Sequence, residues 1–465
     1  MPSPTIALAA AQTLRGRGIL VGCFRPPSVP DRIARLRLTA HANTPPERLD
    51  LALTQVADVV ETAWGAPTTC PFQHTDGRPA QVSTDHRLVS QPAQVREVLG
   101  RPADFAADNA LQALRPFTRE SARVLVQAGF RLPPVLASAN GEAHRAVRRV
   151  VTPFFSPGKV KAQRQVVRRL VREELAELAP RLTHGVDLAV TIAAHAPAQI
   201  AASLTGVPNP PHHELARWSA DSLELFWGWP DDARQLQLAR SAAELHTWLR
   251  QAVRASAGTG NLFDALAAEG LGEDQIVSLG YFLVIAEQET TRMLIATCLQ
   301  HALSEPQRWV ACGAPETGEQ AASELVGEVL AEMSSVPTWR RIAVRDTVLA
   351  GASISAGEEV LVQLSGGHES PAKADPSLAF GYGIHRCLGA SLAELEATVI
   401  LHETARALPD ARLVSGETTW LRLLSFQSPR SLVVTRQANP TQTSSSTEPS
   451  GRKPRGDNTR TPGRR

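Results

Sequence analysis

Phe380-Gly-Tyr-Gly-Ile-His-Arg-Cys-Leu-Gly-Ala390 places one cysteine, Cys387, in a glycine-rich loop. Apolar residues recur at helical spacing directly after the loop, which predicts a buried helix that begins just beyond the cysteine. The positive end of that helix favours a thiolate at Cys387. Glycine has no side chain, so the backbone can adopt positive φ and lie close against a flat ligand at Gly381, Gly383 and Gly389.

A cysteine in such a loop can serve as a nucleophile, a zinc ligand or a haem ligand. The zinc site is disfavoured because no second cysteine or histidine lies at zinc-ligand spacing. A nucleophile needs a base, and His385 lies only two residues away. The residues alone leave these alternatives open.

The loop resembles the haem-binding loop of the cytochrome P-450 family, Phe-Gly-x-Gly-x-His-x-Cys-x-Gly. The resemblance implies that Cys387 is the axial ligand of the iron in haem b (iron protoporphyrin IX). It also implies that the haem is bordered by Phe380, Gly381, His385 and Gly389. A thiolate ligand pushes electron density onto iron and favours cleavage of the O–O bond. The fold implied is mainly α with a small β-rich part, the cytochrome P-450 fold.

A second motif lies in the helix predicted over residues 274–304, whose first half is almost continuously apolar and too short for a membrane span. The family pattern here is Ala-Gly-x-acid-Thr. The resemblance implies Ala286 over the iron, Glu289 as the acid and Thr290 as the hydroxyl that organises bound oxygen. Glu287 stands where the family has glycine. We expect Glu287 either to line the pocket and bind a polar substrate or to pair with a cation on a roofing helix.

His144 and Arg148 lie four residues apart, so they share one helix face that suits a pair of carboxylates. The resemblance implies that this face meets the haem propionates and that Arg341 is a third propionate contact; the alternative is a solvated basic face. By their place in the family's order, the residues expected to contact substrate are Val336, Trp339, Leu424 and Phe426.

One family motif is incomplete. The Glu-x-x-Arg pair reads Glu328-Val-Leu-Ala331, so the arginine is absent, and the long meander that receives it is shortened between residues 366 and 380. Both partners of one structural contact have been lost together. If Glu328 is buried, an unpaired charge would be costly, so we expect Arg340 or Arg341 to replace the lost arginine.

Periodicity and turn residues predict the other elements. They are a strand at Ala80–Ser83, a helix at Pro92–Leu99, a helix at His144–Val151, two amphipathic helices in residues 158–206, paired helices at Leu215–Phe226 and Asp232–Ala255, a helix at Ser323–Met333, strands in Val348–Val362 and a closing hairpin of Leu421–Phe426 with Ser431–Thr435.

Three segments are predicted: an N-terminal extension of unassigned structure (1–74), a haem domain (75–436) and a disordered basic tail (437–465). Residues 436–465 carry seven basic and two acidic residues, so they contribute +5 to the net charge of +2 and the remainder is near −3. No nucleic-acid footprint follows. Five scattered cysteines form no disulfide framework, and no signal peptide or membrane anchor is recognised. We therefore expect a cytoplasmic monomer without a membrane or nucleic-acid partner.

The function implied by the resemblance is a monooxygenase of secondary metabolism. It would insert oxygen from O2 into a mostly apolar small molecule or peptide, or perform an oxidative coupling, with electrons from ferredoxin and ferredoxin reductase. One rival is a peroxide-driven peroxygenase, in which Glu287 serves as the acid-base group. The other is a non-catalytic haem-containing binding or recruitment protein, which the missing arginine favours.

Overall fold

The computed structural model describes residues 86–366, 375–414 and 418–436, together with short pieces of residues 4–59. Helices dominate these ranges, and none of the described helices is long and apolar enough to span a membrane. The α-helices are α1 (Pro4–Gly16), α2 (Pro92–Gly100), α3 (Arg119–Gln127), α4 (Gly141–Val151), α5 (Pro157–Leu178), α6 (Ile192–Thr205), α7 (His212–Trp227), α8 (Asp232–Ala255), α9 (Leu262–Ala268), α10 (Glu273–Leu283), α11 (Thr290–Ser304), α12 (Pro306–Gly313), α13 (Gly318–Met333) and α14 (Ala390–Ala407).

The strands are short. They are β1 (Gly22–Phe24), β2 (Arg35–Arg37), β3 (His86–Val89), β4 (Phe105–Ala106), β5 (Val186–Asp187), β6 (Thr338–Ala343), β7 (Thr347–Leu349), β8 (Ala352–Ile354), β9 (Glu359–Gln363), β10 (Ala411–Leu413), β11 (Trp420–Arg422), β12 (Gln427–Pro429) and β13 (Val433–Arg436). The four-stranded sheet has the order β3-β9-β6-β4, with β3 parallel to β9 and the other pairs antiparallel. The fold is mainly α with a small β-rich part, as the sequence predicts.

Two helical cores support the centre of the molecule. One is built from α5, α6 and α11–α14, and the other from α7–α10 with α4. A third cluster packs α2 on the four-stranded sheet. Apolar residues at helical spacing bury one face of each helix, so the cores form where these faces meet. The central helix, formed by α10, the segment that follows it and α11, borders both helical cores.

Polar caps set the starts of several helices. Thr118 before α3, Asp231 before α8 and Asn261 before α9 each accept a hydrogen bond from a backbone N–H in the first turn. Such a cap satisfies one of the donors that a helix start leaves unpaired. The predicted start of the second paired helix at Asp232 is confirmed for this reason.

The predicted helices are all present, but two strand predictions have other outcomes. The strand at residues 80–83 lies outside the described residues. The closing hairpin is wrong: β11 pairs with β12, whereas β13 pairs with β10 and β5 in a different sheet. Alternation of apolar residues predicts a strand but carries no information about its partner.

The central helix is interrupted by a π-helical segment, Val284–Glu289, between α10 and α11. A π-helical turn inserts an extra residue and breaks the regular i→i+4 ladder, and such turns recur at functional sites. Here it covers the motif in which Glu287 replaces glycine. The sequence predicts one continuous helix over this range, so the interruption is a finding of the structure.

The fold tolerates the absence of the Glu-x-x-Arg arginine because Glu328 is not buried. Glu328 is exposed on α13 and forms an ion pair with Arg308 of α12. The expectation that Arg340 or Arg341 replaces the missing cation is wrong. Both are buried in β6, and their guanidinium groups donate to backbone carbonyls. The carboxylate needs no buried partner because water solvates it.

We expect Ala331→Arg to lower the free energy of unfolding by roughly 1–3 kcal/mol, the usual effect of overpacking a well-filled core. Ala331 is buried on α13, so a guanidinium side chain at this position has to displace its neighbours. Urea unfolding of the haem-loaded protein measures the effect, with the exposed neighbour Glu332→Arg as the control. A gain in stability would show that an arginine partner survives.

Candidate active site

A cavity of about 250 Å³ lies between the cysteine loop, the π-helical segment and β6. Its lining contains nearly all the residues that the sequence nominates. They are His144, Arg148, Ala286, Glu287, Thr290, Val336, Trp339, Arg341, Phe380, Gly381, His385, Cys387, Gly389 and Phe426. The two nominated residues that do not line it are Glu289 and Leu424. The cysteine loop and the central helix, about 100 residues apart in sequence, therefore meet at one site.

Cys387 presents its thiol to this interior cavity. Its side chain has accessible surface, yet it lies deep in the protein, because the surface faces the cavity. Burial raises the pKa of the Cys387 thiol above its ordinary value, against a hydrogen bond from the Gly389 N–H and the charges of Arg148 and Arg386. The prediction that the start of the helix by itself favours a thiolate at Cys387 is therefore wrong. A bound metal would have to stabilise it.

The glycines of the loop act in different ways. Gly381 and Gly383 have φ of 74° and 71°, the left-handed region that favours glycine. A Cβ on Gly383 would lie 2.7 Å from the carbonyl oxygen of Leu99, so this glycine allows the loop to pack against α2. Gly389 has φ of −85°, so positive φ is wrong for it. The loop is held by the Cys387 N–H, which donates to the Phe380 carbonyl at 2.9 Å.

Two imidazoles and two guanidinium groups converge on one wall of the cavity. The rings of His144 and His385 are 4.8 Å apart, and Arg148 and Arg341 line the same cavity. His144 has no hydrogen-bond partner at either ring nitrogen, and His385 has none at Nδ1. Within the described residues, no carboxylate pairs with either arginine. Such a cluster is unfavourable unless an anion neutralises it.

The electrostatics of this cluster agree with that conclusion. Burial lowers the pKa of Arg341 to about 10, and burial with nearby positive charge lowers the pKa of His385 to about 4. Burial also lowers the pKa of His144 and of Arg148. In each case desolvation disfavours the charged form. A ligand with two carboxylates would reverse these shifts.

Thr290 lies on the cavity face of the central helix. Its Oγ1 donates to the carbonyl of Ala286 at 2.5 Å, which fixes the hydroxyl hydrogen within the helix. The lone pairs of Oγ1 remain as acceptors, and both residues line the cavity. The hydroxyl can therefore hold a hydrogen-bond donor in place above Cys387.

Glu289 does not reach the cavity. It is 1% exposed, and its Oε2 accepts from Arg292 at 2.8 Å while Oε1 accepts from Ser219 of α7, also at 2.8 Å. The expectation that Glu289 is the acid that acts together with Thr290 is therefore wrong. Glu289 instead ties the central helix to α7 through its hydrogen bond with Ser219.

We expect Glu289→Gln to lower the free energy of unfolding by roughly 3 kcal/mol, since breaking a buried ion pair leaves Arg292 without its counter-charge. Urea unfolding monitored by far-ultraviolet circular dichroism gives the value. Glu328→Gln is the matched control, because its pair with Arg308 is exposed and is worth about 1 kcal/mol or less. Equal effects of the two variants would contradict the structural role of Glu289.

Glu287 lines the cavity and has no ion-pair or hydrogen-bond partner within the described residues; its Oε1 is buried and unpaired. The expectation that it pairs with a cation on a roofing helix is wrong. A second carboxyl, Glu396 of α14, lines the same cavity and was not nominated from the sequence. The sequence does carry a signal for Glu396: it is an acid within the mostly apolar residues 392–401 of a helix that is predicted to be buried.

Aromatic side chains form the remaining wall. Trp227 packs against Trp339 and Phe426, with ring centroids 6.0 and 4.9 Å away. All three line the cavity, whereas Leu424 points into the core and its backbone bonds to Thr338 and Trp227. Leu424 and Phe426 lie in the connection between β11 and β12, outside both strands, so two residues two apart do not have to share a face there. Trp227 ends α7, where the sequence shows an aromatic cluster.

No protein-family model matches the chain. It is similar to cytochrome P-450-SU2 of Streptomyces griseolus, with 29% identity over 402 residues that cover 81% of this chain and 93% of the relative. It is 26% identical over 369 residues to the mycinamicin IV hydroxylase/epoxidase of Micromonospora griseorubida, covering 75% and 88%. The solved structure of cytochrome P-450 CREJ with (4-ethylphenyl) dihydrogen phosphate matches at a TM-score of 0.70 and 26% identity, covering 76% and 92%.

The chain belongs to the cytochrome P-450 family. Cytochromes P-450 are haem b enzymes, and this cytochrome P-450 is an oxidoreductase that uses molecular oxygen. The cavity fits that cofactor: Cys387 offers a thiol, and the unneutralised wall of His144, Arg148, Arg341 and His385 suits two propionates.

Proposed function

We propose that this cytochrome P-450 inserts one oxygen atom from O2 into a mostly apolar small molecule or peptide, with electrons from ferredoxin and ferredoxin reductase. The observation that carries the proposal is a single cavity in which the thiol of Cys387 faces Ala286 and Thr290 of the central helix. Relatives named as a hydroxylase/epoxidase and as an erythromycin C-12 hydroxylase support the reaction class. The monomeric state and the cytoplasmic location stay predictions.

In this proposal Cys387 would hold the iron, and His144, Arg148, Arg341 and His385 would hold the two propionates. Phe380, Gly381 and Gly389 border the porphyrin. Haem ligated by a thiolate supplies the activation of dioxygen. Guanidinium groups bind carboxylates through paired hydrogen bonds, so Arg148 and Arg341 are suited to hold the propionates.

The residues above the haem have separate tasks. The small side chain of Ala286 leaves space in the cavity, and Thr290 Oγ1 is free to accept a hydrogen bond there because its own hydrogen is donated to the Ala286 carbonyl. Val336, Trp339 and Phe426 face the cavity with apolar surface, and Trp227 joins them. An apolar wall favours a substrate with a large apolar surface and excludes bulk water.

The test is turnover of a panel of apolar macrocycles and peptides. We expect product with O2 when ferredoxin, its reductase and a nicotinamide donor are supplied, and no product when ferredoxin is omitted. Label from ¹⁸O2 should appear in the product. Turnover of no compound by ferredoxin or by peroxide, in protein that carries haem, would favour the non-catalytic alternative.

A peroxygenase is the second candidate. The observation that favours it is Glu287, an unpaired carboxyl that lines the haem cavity where the family has glycine. A carboxyl there can move a proton between the oxygens of peroxide. Product formed with hydrogen peroxide at a rate above that with ferredoxin, and lost in Glu287→Gln, would select this candidate.

A further inference from the structure

Two buried carboxyls have no role in the site described so far. Glu287 lies in the π-helical segment and Glu396 on α14, and both line the haem cavity. Glu287 Oε1 and Glu396 Oε2 are buried without a hydrogen-bond partner, and neither residue forms an ion pair with any described residue. Buried carboxyls without cations are costly as anions, so each is stable when protonated.

The electrostatics support protonation. Burial raises the pKa of Glu287 to about 8, and burial together with the charge of Glu287 raises the pKa of Glu396 to about 8. Both shifts favour the protonated, uncharged carboxyl.

Glu287 also borders a second, smaller cavity. This side cavity of about 50 Å³ lies between α6, α8, the central helix and the loop after α6. Its volume has room for a few water molecules. Gln288 lines it as well, and its Oε1 is buried without a hydrogen-bond partner. Two orphaned oxygens, on Glu287 and Gln288, at a small cavity are the pattern that ordered water satisfies.

The side cavity reaches the protein surface. Pro208 and Asn209 line it, and both are exposed in the loop between α6 and α7. Its other described lining residues are uncharged apart from Glu287. Glu287 is thus common to the haem cavity and to a cavity that starts at the solvent.

We propose that Glu287, with Glu396 as its partner, is a proton inlet that carries protons from solvent through the side cavity to the haem cavity. A proton leaves a carboxyl oxygen of Glu287 toward the haem cavity. The carboxylate then takes the excess proton of a protonated water in the side cavity, and that proton enters from solvent at Pro208 and Asn209, so the water is left neutral. Glu289 cannot supply this proton because Arg292 and Ser219 hold both of its oxygens. The use of this proton in catalysis rests on the proposed function, but the presence of a proton on the Glu287 carboxyl does not.

The charged surroundings of Glu287 are defined. Glu396 of α14 and Cys387 of the cysteine loop line the same cavity, and the charge of Glu287 raises the pKa of both. From α7 and α11, Ser219 and Arg292 are bound to Glu289 instead. The basic residues that share the haem cavity form no ion pair with it; they are Arg148, Arg341, Arg386, His144 and His385.

Infrared difference spectra of the resting, haem-loaded protein test the inlet without turnover. At pH 7 we expect a C=O stretching band of protonated carboxylic acids that loses the Glu287 component in Glu287→Gln and the Glu396 component in Glu396→Gln. Glu289→Gln, whose carboxylate is ion-paired, should keep the band. Absence of the band in the wild-type protein, or its full retention in Glu287→Gln, would overturn the proposal. Because no substrate is present, this result is independent of the proposed reaction.

The route is tested by the rate of deuterium exchange of the same band. Ala202 lines the side cavity and is half-buried, so Ala202→Leu should fill it and slow the exchange at least tenfold. Ser203→Leu is the control, since Ser203 is exposed on the same helix and does not line the cavity. Unchanged exchange in folded Ala202→Leu would overturn the route through the side cavity.

The pH dependence of stability is a third readout. A carboxyl whose pKa is higher in the folded state binds more protons there, so its contribution is fully present below the ordinary value of 4.5 and is lost as pH rises toward 8. Each such group lowers the folding constant by up to about tenfold per pH unit in that window. Glu287→Gln should therefore lose less stability than the wild type between pH 5 and 8. Parallel curves would count against a protonated Glu287.

Discussion

Cys387→Ala is expected to yield folded protein that no longer retains haem. The thiol of Cys387 is the described cysteine sulfur that reaches the cavity, and without it the iron has no axial ligand from the chain. The wild-type protein should show the long-wavelength band of thiolate ligation in its reduced carbon monoxide complex. The variant should show no such band, and haem content measured by absorbance should fall to near zero.

The matched control is Cys298→Ala. Cys298 is also a free, buried cysteine, but it lies in the core of α11 and does not line the cavity. It should keep haem and the band while losing some stability. Full haem occupancy with an unchanged band in Cys387→Ala would refute the ligand assignment, and a wild-type band of the imidazole type would do the same.

Thr290→Ala is expected to consume electrons without making product. The variant loses the hydroxyl oxygen that accepts a hydrogen bond in the cavity, so protons are no longer held beside the oxygen site. We expect product formation to fall by roughly 10²-fold, the lower end of what a positioned proton-transfer group contributes. Oxidation of the nicotinamide donor should continue, and hydrogen peroxide should accumulate. Product, donor consumption and peroxide are measured together in one assay.

Thr297→Ala separates this effect from a loss of helix stability. Thr297 lies on the same helix, and its Oγ1 donates to the carbonyl of Met293 at 2.8 Å in the same manner, but it does not line the cavity. It should couple electrons to product as the wild type does. Full coupling in Thr290→Ala would remove its hydroxyl from the reaction and favour the peroxygenase.

Glu287 and Glu289 show the limit of a motif. By analogy the sequence assigns the relay to Glu289, one step before Thr290, yet in the structure Glu289 is sealed by Arg292 and Ser219. Glu287 faces the cavity instead. The angular position of each residue depends on a π-helical segment that no residue type announces, because one inserted residue rotates the following side chains about the helix axis.

Glu328 shows a second limit. Its burial cannot be deduced from its own helix, since exposure depends on which neighbouring helix covers it. Arg308, twenty residues earlier, reaches it because α12 packs beside α13. The sequence shows that the arginine is absent but not that the glutamate is solvated.

The sequence by itself determined the family, the helical elements, the cysteine loop and the basic residues that face it. These follow from local patterns: fixed spacing in a glycine loop, helical periodicity and residues four apart on one face. Only the tertiary structure decided that β13 pairs with β5 and β10, that Glu289 is sealed, and that Glu287 and Glu396 meet at one cavity. Each of these depends on contacts between residues far apart in the chain, and such contacts are set by packing rather than by local sequence.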